Sequence, residues 1–255
     1  MKKYPIQICC IITAAVIASL LPGCAIFHRA DDSAAPATAE AREHAAVLPQ
    51  SRISAESWAK RYEELSRRAK SGGHPLVFIG DSITHGWEGS GKEVWAEYYA
   101  PRNALNIGIG GDRTQHVLWR LQNGNFEGQK PELCVLMIGT NNFRDNTAEE
   151  IAGGIEAIVQ EIGRQSPKSK VLILAIFPRF EHPHPKRDML SEASRIASGL
   201  ADGKKVYYLD IGNKFLDADG TLPEDVMPDF LHPNDKGYRI WAEAIEATLR
   251  QLLDE

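Results

Sequence analysis

The amino-acid sequence predicts an α/β protein, a three-layer α/β/α sandwich built on a parallel sheet. Five short, mostly apolar runs are predicted as buried strands: 75–80, 104–107, 133–139, 170–177 and 206–211. Helical patterns separate these runs along the chain. Continuous apolar strands that alternate with helices are typical of parallel sheets whose two faces are both covered by helices.

Apolar spacing and capping residues place the helices. Apolar side chains at i, i+4 and i+7 predict an amphipathic helix over 54–71. Thr147, with Glu150 three residues later, forms a capping box that begins a helix running to about residue 164. The remaining helical stretches are 116–121, 191–200 and one that begins at Asn234 or Asp235.

The N-terminus is predicted to lie outside the fold. Lys2 and Lys3 precede an apolar run over 6–21, a pattern typical of a secretory signal. A helix that spans a membrane needs about 20 residues, and this run is slightly shorter. The alternative interpretation is an uncleaved signal anchor. Residues 25–50 are rich in alanine and lack a strong apolar period, as expected of a flexible tether.

Residues 21–24, Leu-Pro-Gly-Cys, resemble the lipobox of bacterial lipoproteins. The resemblance implies cleavage before Cys24 and lipidation of its side chain. With Ala25 following, it also implies an extracytoplasmic location at the outer membrane or in the periplasm. We therefore expect a signal peptide at 1–23, a tether at 24–50 and a folded domain at 51–255, with membrane contact only through the lipid.

Composition argues against several other classes of protein. The formal net charge is −5 and no basic run occurs, so the sequence does not predict a nucleic-acid partner. Of the four cysteines, only Cys134 lies within the predicted domain, inside an apolar run, where it is predicted to be a core residue. A disulfide framework or a cysteine-based metal site is therefore not expected.

Polar residues directly follow two of the predicted strands. Ligands of such sheets bind beyond the carboxyl ends of the strands. Ser82 follows the first strand, which puts a hydroxyl at this edge; the alternative is that Ser82 caps the next helix. Asp81 is predicted to brace the turn by hydrogen bonds and not to react. Asn141 follows the third strand, where it either donates hydrogen bonds into the crevice or forms an ordinary turn.

Two further segments complete a possible catalytic set. The second strand leads into a glycine-rich turn, 108–112, whose backbone can present N–H groups to a ligand. A dinucleotide loop is the competing interpretation, but the spacing is not Gly-x-Gly-x-x-Gly. After the fifth strand, Asp229 and His232 are three residues apart, so the carboxylate can orient the imidazole. Acyl transfer requires this combination of hydroxyl, imidazole, carboxylate and amide donors.

In their order along the chain, these segments resemble the SGNH family, also called the GDSL hydrolases. The resemblance runs from about residue 76 to the C-terminus, and residues 106–121 are most similar to platelet-activating-factor acetylhydrolase catalytic-subunit-like esterases. Four blocks carry it: Gly80-Asp81-Ser82, Gly111, Gly139-Thr140-Asn141 and Asp229-x-x-His232.

The resemblance implies a flavodoxin-like fold with a five-stranded parallel sheet and no metal or organic cofactor. It implies that Ser82 is the catalytic nucleophile and that His232, oriented by Asp229, is the base. It also implies an oxyanion hole made by the amides of Ser82 and Gly111 and the side chain of Asn141.

The expected function is hydrolysis of short-chain acyl esters, above all acetyl esters, on a small molecule or a glycan. A non-catalytic carbohydrate-binding protein would predict a broken triad, and an O-acyltransferase is separated only by product analysis. Arg113 and Thr114 are expected to touch substrate, whereas His116 is expected to pack or cap. His182 and His184, interleaved with prolines, predict a solvated loop beside the cleft and not a metal site.

Overall fold

The computed structural model describes residues 44–254, which form an α/β/α sandwich around one parallel sheet. The sheet order is β2-β1-β3-β4-β5, and every neighbouring pair is parallel. This order is that of flavodoxin-like folds. The predicted fold class is therefore confirmed. The strands are β1 (Leu76–Gly80), β2 (Leu105–Asn106), β3 (Leu133–Met137), β4 (Lys170–Leu174) and β5 (Val206–Leu209).

Helices cover both faces of this sheet. They are α1 (Glu56–Lys70), α2 (Ser82–His85), α3 (Lys92–Tyr98), α4 (Thr114–Arg120), α5 (Ala148–Gln165), α6 (Pro185–Ser198) and α7 (Asp235–Leu252). Side chains of α1, α4, α5 and α6 form the core on one face, and those of α2, α3 and α7 form the core on the other. Within β1, Val77 and Ile79 face the first core while Leu76 and Phe78 face the second, as the two-residue period of a strand requires.

The order of the strands determines where a ligand site can form. β1 lies between β2 and β3, so the chain leaves β1 in one direction for β2 and returns past it to β3. At such a switch point the loops diverge to opposite faces and leave a crevice at the carboxyl ends of the strands. The segments after β1, β2 and β3 carry Ser82, Gly111 and Asn141, and they meet at this crevice.

Several predicted boundaries differ from the observed ones. β3 and β4 end before the predicted residues 139 and 177. The apolar residues that follow each strand are buried but lie beyond the last paired residue of the sheet, and their apolar character made the predicted strands too long. Helix α6 begins at Pro185, six residues before its predicted start. The His184 side chain accepts a hydrogen bond from the amide of Lys186, and proline is well suited to the first helical position.

The folded part begins before Ser51, so the predicted end of the tether at residue 50 is too late. Ala46 is fully buried, and its carbonyl oxygen accepts a hydrogen bond of 2.8 Å from the Thr114 hydroxyl. The amide of Gln50 donates to the carbonyl oxygen of Gln115. An alanine-rich stretch without apolar periodicity gives no sequence signal for such contacts, because small side chains and backbone groups make them.

The predicted signal peptide at 1–23, Cys24 and most of the predicted tether lie outside the described residues. Within the described part of the chain, no helix combines the length and the apolar character required to cross a bilayer.

Candidate active site

Ser82 stands at the first position of α2, directly after β1. The helix cap is Asp81, whose Oδ1 accepts a hydrogen bond of 3.0 Å from the amide of Ile83, so the bracing role predicted for Asp81 is confirmed. A Cβ atom on Gly80 would collide with the Thr84 side chain and with the carbonyl oxygen of Met137. The turn that presents Ser82 therefore requires glycine at position 80.

Ser82, His232 and Asp229 form one hydrogen-bonded chain. Oγ of Ser82 lies 2.9 Å from Nε2 of His232, and Nδ1 of His232 lies 2.6 Å from Oδ2 of Asp229. A carboxylate can only accept, so Nδ1 carries the proton and Nε2 is free to accept the hydroxyl proton of Ser82. The structure thus brings together three predicted residues that are up to 150 positions apart.

The electrostatics of Asp229 favour its charged form. Partial burial raises the pKa of Asp229, but hydrogen bonds from the His232 ring and from the amides of Leu231 and His232 outweigh it. The net pKa of Asp229 is lowered. A carboxylate held in this way stays ionised at neutral pH and keeps the imidazole in one tautomer.

The glycine loop after β2, residues 107–112, approaches the turn that carries Ser82. A Cβ atom on Gly108 would collide with the backbone of His85. The Asn106 side chain holds the two segments together. It accepts a hydrogen bond of 2.8 Å from the amide of Gly108 and donates one of 2.9 Å to the carbonyl oxygen of Thr84. Gly111 follows with φ of +75°, a left-handed conformation that favours glycine.

Asn141 reaches the same loop from the end of β3. Its Nδ2 donates a hydrogen bond of 2.9 Å to the carbonyl oxygen of Asp112. A side-chain amide has two N–H donors, so this bond orients the group and leaves its second N–H for a ligand. The structure therefore places Asn141 next to the glycine loop.

A buried ion pair, which sequence reasoning missed, supports the glycine loop. Nε of Arg120 donates 2.8 Å to Oδ2 of Asp112, and both side chains are fully buried. Nη2 of Arg120 donates 2.8 Å to the carbonyl oxygen of Gly80, and the indole of Trp58 donates 2.7 Å to Oδ1 of Asp112. One guanidinium thus ties the loop after β2 to the turn after β1. Only the Asp-x₇-Arg spacing within 112–120 hinted at this pair.

Thr114 does not line the surface of the site, in contrast to the expectation from the sequence. It is fully buried, and its hydroxyl donates to Ala46 while Asn142 contacts both its amide and its hydroxyl. These contacts hold the start of α4 against the loop after β3. Arg113 is partly exposed and pairs with Asp145 at 2.5 Å.

His116 caps helix α4, as predicted. Its Nδ1 accepts a hydrogen bond of 3.0 Å from the amide of Arg113. Burial, together with the positive charges of nearby arginines, lowers the pKa of His116 to about 4. The ring is therefore neutral at pH 7 and available as a hydrogen-bond acceptor.

Aromatic and cationic side chains border the site between Asn141 and His232. The Arg179 guanidinium lies 4.0 Å from the ring centre of Phe143 and 4.9 Å from that of Phe180. The Phe180 ring stacks on exposed His184 at 4.2 Å. The amide of Phe180 donates 2.9 Å to the carbonyl oxygen of Phe230, two residues before His232. We call Phe143, Arg179, Phe180 and His184 the aromatic rim.

The backbone of this region is held in unusual conformations. Phe180 and Phe230 have φ of +67° and +56°, which side-chain-bearing residues rarely adopt. Arg187 of α6 stabilises the loop by donating hydrogen bonds to the carbonyl oxygens of Arg179 and Phe180. Strain that is held in place by such contacts tends to cluster at functional sites.

Within residues 44–254, no group of three or more His, Cys, Asp or Glu side chains is arranged to hold a metal ion.

A parallel sheet with a Ser-His-Asp chain at its carboxyl edge is the arrangement of an α/β hydrolytic enzyme. The chain belongs to the GDSL-like lipase/acylhydrolase family, whose sequence pattern it matches over residues 78–240. It is 39% identical over 199 residues to the platelet-activating factor acetylhydrolase IB subunit alpha2 of Rattus norvegicus, covering 78% of this chain and 86% of that one. The protein is accordingly a carboxylic ester hydrolase.

Solved structures share the same fold. A GDSL-like lipase from Bacteroides thetaiotaomicron superposes with a TM-score of 0.58 at 20% identity, covering 74% of this chain and 97% of that one. A variant of an acetyl-xylooligosaccharide esterase from Geobacillus Stearmophilus gives a TM-score of 0.56 at 21% identity, with coverage of 71% and 94%. At this identity the likeness extends to the fold.

Asp81 provides a test of the electrostatics beside Ser82. Its carboxyl is fully buried, and burial raises its pKa from 3.8 to about 7. Between these values Asp81 is ionised in the unfolded chain and protonated in the folded chain, so Asp81 contributes a negative slope to stability as pH rises from 4 to 7. Asp81→Asn keeps an oxygen acceptor for the Ile83 amide and should remove this slope, which amounts to a few kcal/mol at about 1.4 kcal/mol per pKa unit.

Urea unfolding of wild type and Asp81→Asn at several pH values from 4.5 to 8 measures this difference. The exposed carboxylate Asp188, changed to asparagine, is the matched control and should leave the wild-type slope intact. Parallel stability curves for wild type and Asp81→Asn would show that Asp81 ionises in the folded state as it does in the unfolded chain.

Proposed function

We propose that this protein is a serine esterase that hydrolyses short-chain acyl esters, acetyl esters above all, with Ser82 as nucleophile. The hydrogen-bonded chain from Ser82 through His232 to Asp229, with distances of 2.9 and 2.6 Å, carries the proposal. It supplies the three elements that an unactivated hydroxyl needs: a base within reach, an acid that orients the base, and access from solvent, since His232 is 42% exposed.

The reaction proceeds in two steps. Oγ of Ser82 attacks the ester carbonyl carbon while its proton passes to Nε2 of His232. The tetrahedral intermediate then collapses: the bond to the leaving alcohol breaks, and His232 returns the proton to that oxygen. Water attacks the acyl-Ser82 ester by the same route, with His232 again as base, and releases the carboxylic acid and free Ser82.

Three donors are proposed for the oxyanion: the amides of Ser82 and Gly111 and the side-chain amide of Asn141. This assignment is supported by hydrogen bonds that join the loops bearing the three donors. Asn141 bonds to Asp112, and Arg120 bonds to both Asp112 and Gly80. Fixed donors stabilise the developing charge without reorganising, and each is worth on the order of 100- to 1000-fold in rate.

Acetyl esters on carbohydrate are the proposed substrate class. Relatives of this chain include platelet-activating factor acetylhydrolase subunits, and proteins of the same fold include an acetyl-xylooligosaccharide esterase. The aromatic rim supports a sugar as the alcohol part, because rings beside a few polar groups suit the apolar face of a pyranose. Phe143 lies two residues after Asn141 and contacts Phe180, and Phe180 bonds to the loop of His232, so the rim connects the segments that carry both residues.

We further propose an extracytoplasmic lipoprotein, anchored through Cys24 at the outer membrane or facing the periplasm. The lipobox-like residues 21–24 after an apolar run support this location. Such a location suits an enzyme that acts on glycan esters outside the cytoplasm.

Ser82→Ala should abolish hydrolysis of p-nitrophenyl acetate, because no other group in the chain of hydrogen bonds can form the acyl ester. Steady-state rates and labelling by a fluorophosphonate measure this, with circular dichroism to verify the fold. Ser90→Ala, at an exposed serine eight residues away, is the control and should keep wild-type activity. Turnover retained by Ser82→Ala would reject the proposed nucleophile.

Phe180→Ala should lower kcat/KM for acetylated xylooligosaccharides by about 5- to 10-fold, the effect of losing one aromatic contact of roughly 1 kcal/mol. The value for p-nitrophenyl acetate should stay within about twofold, since the proton-transfer groups are untouched. Phe180→Tyr keeps the ring and is the control. Equal losses on both esters would contradict a sugar-binding role, and product analysis with an added sugar acceptor identifies acyl transfer if it occurs.

Cys24→Ser should move the protein from membrane fractions to the soluble fraction, because serine cannot receive the thioether-linked lipid. Cell fractionation followed by immunoblotting measures this. Cys9→Ser, within the predicted signal, is the matched control and should leave the distribution unchanged. Membrane retention of the Cys24→Ser protein would instead support an uncleaved N-terminal helix.

A further inference from the structure

We propose that Arg52 is a positioning residue that orients and polarises the peptide unit between Gly110 and Gly111, the source of one proposed oxyanion donor. Arg52 lies outside the family match at 78–240. The proposal builds on the proposed function of Ser82 and Gly111, and it assigns a catalytic contribution to a segment that precedes the first helix.

The segment that carries Arg52, residues 44–52, is seated firmly along the catalytic edge. Ala46 is fully buried and accepts the Thr114 hydroxyl at 2.8 Å. The amide of Gln50 donates 3.1 Å to the carbonyl oxygen of Gln115. Both partners belong to the start of α4, directly after the glycine loop. The segment therefore delivers Arg52 to this loop from a defined position.

The Arg52 guanidinium covers the glycine loop. Its Nη1 donates 3.0 Å to the carbonyl oxygen of Gly110 and lies 3.3 Å from Oδ1 of Asp112. A Cβ atom built on Gly111 would lie 3.1 and 3.3 Å from Nη1 and Nη2 of Arg52. The guanidinium is thus in contact with three successive residues of the loop.

Peptide geometry transmits this contact to the proposed donor. The carbonyl of Gly110 and the N–H of Gly111 belong to one planar unit, so fixing the carbonyl direction also fixes the N–H direction. A charged donor on the carbonyl oxygen makes a strong hydrogen bond. It also withdraws electron density from the peptide and strengthens the N–H as a donor, as in other hydrogen-bonded chains.

The loop does not depend on Arg52 for its fold. Without Arg52, the Asp112 carboxylate keeps its bonds from Trp58 and Arg120. The Arg52 side chain is 32% exposed, whereas Arg120 is fully buried. Loss of Arg52 should therefore leave a folded protein whose Gly110–Gly111 peptide is less well oriented and less polarised.

Arg52→Met, which keeps an apolar chain of similar length, tests this. We expect kcat for p-nitrophenyl acetate to fall about 10-fold while KM stays within twofold of wild type, because losing an interaction that is made only in the transition state lowers kcat. The inhibition constant of a trifluoromethyl ketone, whose adduct with Ser82 carries the oxyanion, should rise by the same factor. Arg52→Lys, which can still donate a hydrogen bond to Gly110, should recover part of the lost kcat and part of the lost affinity for the ketone. Arg67→Met, at an exposed arginine of α1, is the control and should match wild type.

An unchanged kcat in Arg52→Met, or a raised KM with unchanged kcat, would overturn the positioning role. A loss of kcat without a parallel loss of ketone affinity would overturn it too, because a general structural defect does not track the oxyanion. If instead Ser82→Ala keeps its activity, the proposed function itself fails, and this result is independent of the Arg52 variants.

Discussion

The buried guanidinium of Arg120 is the interaction on which the geometry of the site depends. It joins Asp112 in the loop after β2 to the carbonyl oxygen of Gly80 in the turn after β1. Those two segments carry Gly111 and Ser82, whose amides are two of the proposed oxyanion donors. An ion pair buried to this degree is costly to break, by about 3–5 kcal/mol when one partner is lost, because the other charge stays without compensation. The pair therefore specifies one arrangement of the two loops.

The site combines a rigid, buried support with an accessible reacting edge. Asn106, Asp112 and Arg120 are buried and fully engaged in hydrogen bonds between loops. His232 and Asp229, by contrast, are 42% and 56% exposed and lie on a loop after the last strand. This division suits hydrolysis, because the proposed oxyanion donors need fixed positions, whereas the proposed base needs access to both the substrate and the attacking water.

Burial also sets the protonation of the groups around Ser82. Desolvation raises the pKa of Asp81 to about 7, so this carboxyl still holds a proton in about half of the molecules at pH 7. Desolvation lowers the pKa of His116 to about 4, so its ring is neutral at that pH. Asp229 moves in the opposite direction because hydrogen bonds to its charged form outweigh its partial burial. These three titratable groups thus take different charge states, and the ionised carboxylate is the one that is hydrogen-bonded to the His232 ring.

The sequence alone determined the fold class and the order of strands and helices, and it indicated polar candidates after the strands. Its resemblance to a known family then assigned the expected roles of Ser82, Gly111, Asn141, Asp229 and His232. Apolar periodicity and the rule that ligands bind at strand carboxyl ends depend only on local pattern, so they could be applied before any coordinates. Only the tertiary structure decided that Arg52, Asp112 and Arg120 support the glycine loop, that Thr114 is buried, and that Phe180 borders the site. These roles depend on contacts between residues far apart in the chain, and burial, pairing and close approach leave no periodic trace in the sequence.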